Sequence, residues 1–586
     1  MLHHRIHRLG RPGLLAALVC LGLAGGCRSP QAHRDLADRR AATVTRRLRG
    51  DYLGQPAGYD FEPLADILRQ RLDLPAPTEP VEPADPTTAQ PGAADRPVAL
   101  SLARALQIGA ARNPEYQRTK EVILRAALAL DLEAEAFRTS WAGILTGEYQ
   151  DDRREETDQR GLLFGAGLSA ERLTSLGASI ATRLSFDLAK LLTLDRDSAY
   201  GLLADVSIAI PLLRGWGRSV VTEPMTQAER NVLYAMYDFE QYKRAFAVRI
   251  ASEYLTVLER DQQTRNAEDN YQRLVESAHR ADELARAGRL PGIQVDQAKQ
   301  DMLRARERLF SSYQSAQREL DNFKQTLGLP VDLEVALDPE EMARQVEASA
   351  LPAGAPAAAA TDLAADYRAG QIWRGLDAPR AVERALAARL DLRKRHAQVA
   401  DAERAVAVAR DGLRAGLTLE ASGSAGARRD LSSADQDDAR LRASAGRYRA
   451  WLTLDLPWLR AKERARYRES LLEREQALRA ARALADQITQ EIRDHLRGLA
   501  LARESILIQR QAVTVAERRV ESSELFLQAG RAQIRDLLEA QEAFVSAQNA
   551  LLSALVRYRI AEWELQRDLE ILTVTDEGLW HAAQDI

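Results

Sequence analysis

The chain has 586 residues, enough for several ordinary domains, and its formal net charge of −4 carries no polyanion-binding signature that would point to nucleic acid. It is 46% hydrophobic and 28% charged but only 5% aromatic, an Ala, Leu, Arg and Glu bias that suits long helices and coiled coils better than an enzyme core. Eight histidines and two cysteines are too sparse and scattered for a metal-ligand cluster, and no cofactor is expected.

Residues 1–26 read as a signal peptide. His3, His4, Arg5, His7, Arg8 and Arg11 precede an apolar run over 14–23, the charged and apolar regions of a secretory signal. Ala24-Gly25-Gly26-Cys27 then resembles a bacterial lipoprotein signal, in which Cys27 becomes the acylated first residue. Ala24 stands where that pattern prefers Leu, and plain cleavage after a small residue would leave Cys27 free. Cys20 is lost with the signal either way. No later apolar run approaches the roughly 20 residues of a spanning helix. A membrane crossing, if there is one, falls to strands.

Residues 27–97 read as an arm and spacer: a short helical piece at 36–48, then a Pro, Ala and Thr-rich tether at 75–97 that buries little apolar surface. Ser101 is the expected N-cap of a short helix that Asn113-Pro114 interrupts. A longer helix to about Trp141 carries Val122, Leu124, Leu128 and Leu132. Between about 143 and 210 the period falls to two. Ala178, Ile180, Leu184, Phe186 and Leu188 face one way and Ser179, Ala181, Arg183, Ser185 and Asp187 the other, as in a half-buried strand. Residues 206–210 repeat that alternation, and 162–171 show it more weakly.

Pro211 ends this region, and the LRGWGR run after it opens a helix free of glycine and proline over 225–287. At 1.5 Å per residue that helix is roughly 90 Å long. Gly288 ends it, Pro291-Gly292 marks a tight turn, and 293–327 return as a second helix. An Ala and Pro-rich insert, 331–380, separates this half (98–330) from a second (381–575), with 576–586 a tail. The second half has a helix over 381–410, strands within about 413–456, and Leu452, Leu454 and Leu456 alternating with Trp451, Thr453 and Asp455. Pro457 stands in LPWLRAKER where Pro211 stands in IPLLRGWGR. A second long helix over 461–527 ends at an AGR triplet containing Gly530 and Arg531, the echo of the one containing Gly288. His396 and His495, each isolated on a helix, read as surface residues.

The expected fold is therefore α+β and mostly α, built from duplicated helix–strand–long helix–turn–helix halves with about four principal strands per chain. A four-stranded sheet in a bilayer would leave edge N–H and C=O groups facing hydrocarbon, and closed membrane barrels begin at eight strands. The strands of one chain cannot close a barrel alone, so the barrel must be shared.

The segment 101–117 (SLARALQIGAARNPEYQ), the two proline junctions, AGRAQIRDLLEAQ at 529–541 and the duplication itself resemble the TolC-type outer-membrane efflux proteins. The resemblance implies a homotrimer. Its twelve-stranded β-barrel sits in outer-membrane lipid, above a periplasmic α-helical coiled-coil tunnel. It also implies partners, a periplasmic adaptor protein and an inner-membrane pump, and a duct that catalyses nothing. At the periplasmic entrance, family members carry acidic residues where this chain has Asp536 and Glu539. Threefold symmetry would make each a ring of carboxylates that attracts cations, with Arg531 and Arg535 placed to form salt bridges. Gln294 and Gln297 hold the matching positions of the first repeat. The rival expectation is a periplasmic coiled-coil adaptor or scaffold lipoprotein without a barrel.

Overall fold

The computed structural model describes residues 29–54, 59, 98–154, 157–192, 199–347, 371–373, 376–430, 433, 437, 439–456, 458–576 and 578–581. Cys27, Pro457 and the spacer 75–97 lie outside them. In chain order the elements are α1 (Pro30–Leu53), β1 (Val98–Leu100), α2 (Leu102–Arg112), α3 (Pro114–Glu135), β2 (Ser140–Arg154), β3 (Thr157–Leu173), β4 (Ser179–Leu191) and β5 (Ala199–Pro211). They continue with α4 (Glu223–Arg286), α5 (Gly292–Leu327), β6 (Val335–Leu337), α6 (Glu341–Glu347), α7 (Ala378–Ala388) and α8 (Leu390–Asp411). The last are β7 (Gly416–Ala427), β8 (Arg447–Asp455), α9 (Ala461–Gln528) and α10 (Ile534–Asp568).

The duplication is visible in the caps. Ser101 accepts a hydrogen bond from the Arg104 N–H at 3.3 Å, and Asp377 accepts one from the Arg380 N–H at 3.1 Å. Each thereby satisfies an N–H that a helix start leaves unpaired. Asn113 Oδ1 accepts from the Tyr116 N–H at 2.8 Å, so the Asn113-Pro114 interruption is itself the cap of α3. The long helices α4 and α9 span 64 and 68 residues, and Gly498 passes through α9 without breaking it.

The chain divides into two compact units. The first comprises Met1–Phe61, Val122–Met236 and His396–Arg479 and holds a six-stranded sheet in the order β8-β7-β5-β4-β3-β2, antiparallel throughout. The sequence showed about four principal strands; this sheet has six. The strand it did not show is β2, where Gly143 and Gly147 occupy alternate positions of the apolar face and blunt the alternation. The helix expected to reach Trp141 stops at Glu135, and Trp141 already belongs to β2. Its buried stripe is Ile123, Ala127 and Leu130, whereas Val122 and Leu132 are exposed.

Residues 30–53 of the arm are a folded part of this unit. The short helix expected at 36–48 runs over the whole of α1, with Ala41, Thr45 and Leu48 buried. Arg40 pairs with Asp131 at 3.2 Å and Arg47 with Glu229 at 3.0 Å.

The second unit comprises Glu62–Glu121, Tyr237–Arg395 and Ala480–Ile586. Tyr116 packs edge-on against Phe239, with ring centroids 5.4 Å apart, and lies 5.3 Å from Phe246. Ile488, Ile492, Leu496 and Leu499 of α9 pack with Leu392 of α8 and Leu565 of α10. The start of the inter-repeat insert belongs to this unit: β6 pairs in parallel with β1, and Gln345 of α6 accepts from Arg559 at 3.1 Å.

Candidate functional site

Residues directly opposite one another in an antiparallel sheet share a face, so the register sorts the six strands into rows. One row runs Trp141–Ala170–Thr182–Val206–Gly423–Tyr448 and another Leu145–Ala166–Phe186–Leu202–Ala427. The row between them on the opposite face runs Ala142–Ser169–Arg183–Asp205–Ser424–Arg447, and the next is Ser140–Glu171–Ala181–Ser207–Ser422–Arg449. The sheet is therefore apolar on one face and polar on the other, from edge to edge. The apolar face stands open: Trp141, Leu145, Leu184 and Leu452 are all exposed in the single chain. The polar face holds a shallow depression of ≈ 400 Å³ lined by Glu171, Arg183, Asp205 and Arg447. Trp451 lies opposite Glu420 and so stands on the polar face.

Where strands meet helices, Pro211 is the last residue of β5, and six further residues precede the first helical turn, Arg218–Val221. Those residues tie the repeats together. Leu212 donates its N–H to the Leu417 carbonyl at 2.6 Å, Gly215 donates to the Asp411 carboxylate at 2.7 Å, and Arg214 pairs with Asp455 at 3.0 Å. Arg460, the second-repeat counterpart of Arg214, donates to the Leu413 carbonyl. Neither Asp411 nor Asp455 stands out in the sequence: one ends α8 and the other ends β8, each a single carboxylate with no local pattern.

The two helical hairpin turns match. Gly288 and Gly530 have φ of 70° and 68°, the left-handed conformation that glycine adopts without a Cβ clash. Arg289 N–H bonds the Leu284 carbonyl at 2.9 Å, and Arg531 N–H the Phe526 carbonyl at 2.8 Å. Gly292 lies outside the turn proper, as the first residue of α5 behind Pro291. Leu274, Ala278 and Ala281 of the first hairpin pack with Ile534 and Leu538 of the second.

Asp536 closes a capping box: its carboxylate accepts from the Gln533 N–H at 3.0 Å while the Gln533 side chain accepts in return from the third helical N–H. Glu539, one turn on, takes Arg535 at 2.7 Å and lies 3.9 Å from Arg519. Both acids are exposed. The carboxylate of Glu539 raises the Arg535 guanidinium above its ordinary value. Arg531 contributes through its backbone.

No family model matches the sequence, and no curated protein matches it. Solved structures do. The CusC structure, described as a transmembrane channel, superposes with a TM-score of 0.56 at 14% identity, over 84% of this chain and 98% of that one. The CmeC outer membrane channel of Campylobacter jejuni gives 0.57 at 12% identity, over 83% and 87%. The outer membrane protein VceC of Vibrio cholerae gives 0.55 at 13%, over 80% and 95%.

This chain has the TolC-type outer-membrane channel fold.

No helix among the described residues is long and apolar enough to cross a membrane. The described residues hold no group of three or more His, Cys, Asp or Glu side chains able to bind a metal ion. His495 is not the free surface residue its isolation suggested. Its Nε2 meets Asp568 at 3.0 Å, and this hydrogen bond raises the imidazole above its usual value. Burial pushes Asp568 up, but hydrogen bonds from His495 and Arg567 outweigh it and bring the carboxyl down to about 2. The signal missed was distance in sequence: partners 73 residues apart on antiparallel helices leave no local pattern.

Proposed function

We propose that this chain is the outer-membrane exit duct of a tripartite efflux or secretion system. Three copies share one barrel, and their helical hairpins form the periplasmic tunnel that a periplasmic adaptor joins to an inner-membrane pump. The observation that carries this reading is the two-faced sheet, apolar on one face and polar on the other, with no further strand beside β2 or β8 among the described residues. Unpaired edge groups in hydrocarbon cost several kcal/mol each, so the sheet is stable in a membrane only when other copies complete it. The duct supplies no chemistry of its own; the pump supplies the energy. Acylation at Cys27 anchors each copy to the outer membrane. Asp536 and Glu539 form the acidic gate at the tunnel entrance, where threefold symmetry brings like charges together.

Planar-bilayer recording on the detergent-extracted full chain tests this. Stable ionic conductance with cation preference is the expected result. A protein that partitions into the aqueous fraction and gives no conductance would instead favour a soluble adaptor or scaffold.

A further inference from the structure

The geometry points to a wall of eighteen strands, in which the free edge of β2 in one copy pairs with the free edge of β8 in the next. This deepens the exit-duct reading and rests on its trimer. Five antiparallel steps separate β2 from β8, so these two edge strands run in opposite directions. A seam between copies therefore continues the antiparallel alternation without a break, and three copies of six strands close evenly.

The stagger of the strand ends fits closure. A straight row from Ser140, the first residue of β2, reaches Arg449, six residues short of the end of β8 at Asp455. When the helix-side ends of neighbouring β8 and β2 are brought level, each copy contributes a step of six residues over six strands. A barrel whose shear equals its strand number tilts its strands by about 36°, inside the range of membrane barrels. Leaving out β2 and β3 gives four strands and a step of four, from Ser179 to Trp451, with the same tilt. Tilt therefore allows either ring.

The faces decide between them. The β2–β3 hairpin is not a polar flap on a four-stranded wall. Trp141, Leu145 and Tyr149 of β2 stand exposed on the same face as Leu184 and Leu452. On the other face Glu171 of β3 lines the same polar depression as Arg183, Asp205 and Arg447. The backbone pairing of β3 with β4 runs unbroken from Leu173 to Gly161. A hairpin outside the wall would leave a membrane-type apolar face without lipid, and would have to break that ladder.

With strands about 4.8 Å apart and tilted about 40°, eighteen strands make a ring about 36 Å across at the backbone, against about 24 Å for twelve. Cryo-electron microscopy of the detergent-extracted full chain reads the number directly. A threefold ring of eighteen strands about 36 Å across is expected. A twelve-stranded ring about 24 Å across, whether built from two copies or from three with β2 and β3 outside it, overturns the inference and leaves a shared exit duct standing. A water-soluble single chain with its strands buried overturns both.

Discussion

Arg214 and Asp455 meet at 3.0 Å across the two repeats, one just after the last strand of the first and the other ending the last strand of the second. Both side chains are more than a third exposed, so solvent screens the pair and Arg214→Ala should cost about 0–1 kcal/mol. Asp411 is different: its side chain is 7% exposed and takes the Gly215 N–H at 2.7 Å and Arg414 at 3.1 Å. Asp411→Ala removes the acceptor of a partly buried N–H and should cost about 1–2 kcal/mol. Thermal unfolding of both variants in detergent ranks them. Equal losses would remove Asp411 from the junction's structural role.

Gly288→Ala and Gly530→Ala each place a Cβ in the left-handed region and should destabilise by about 1 kcal/mol or more. Gly292→Ala should be neutral or slightly stabilising, because Gly292 is helical and a Cβ there meets nothing within 4 Å. Limited proteolysis at the hairpin turns, compared across the three variants, checks the contrast.

The cap that Asp536 forms and the gate charge proposed for it can be separated. Asp536→Asn keeps an acceptor for the Gln533 N–H while removing the charge; Asp536→Ala removes both and should cost about 1 kcal/mol of helix stability. The Asp536→Asn, Glu539→Gln double variant should lower cation conductance and cation selectivity in planar bilayers at unchanged thermal stability. Unchanged conductance and selectivity would count against the gate.

The His495–Asp568 pair gives a pH dependence of defined sign. Because the folded pKa of His495 is raised, its contribution is complete below the unfolded value of about 6.5 and is lost as pH rises through the folded one. Asp568 is lowered to about 2, so its contribution is present above the unfolded value and is lost as pH falls towards 2. Between pH 6 and pH 9 the Tm of the native chain should fall more steeply than that of His495→Gln. Parallel Tm–pH curves would show that the pair carries no such linkage.

The elements legible in the sequence are those whose signal is local. The long proline-free runs over 225–287 and 461–527 announce α4 and α9, the AGR triplets announce the hairpin turns, and the alternation over 178–188 announces β4. The elements that were not legible depend on partners. β2 carries glycine at two positions of its apolar face and gains its strand character from fifteen register partners in β3. Val122 and Leu132 are apolar but point outward, and the buried Ile123, Ala127 and Leu130 are recognisable only once α3 is packed. Asp536 showed its charge in the sequence but not its hydrogen bond to the helix start.

The exit duct requires that strands from several copies of the chain complete one barrel. Native mass spectrometry of the detergent-extracted protein measures this most directly. A single species at three times the mature chain mass is the predicted result. A species at the mass of one chain, stable without detergent, would contradict it.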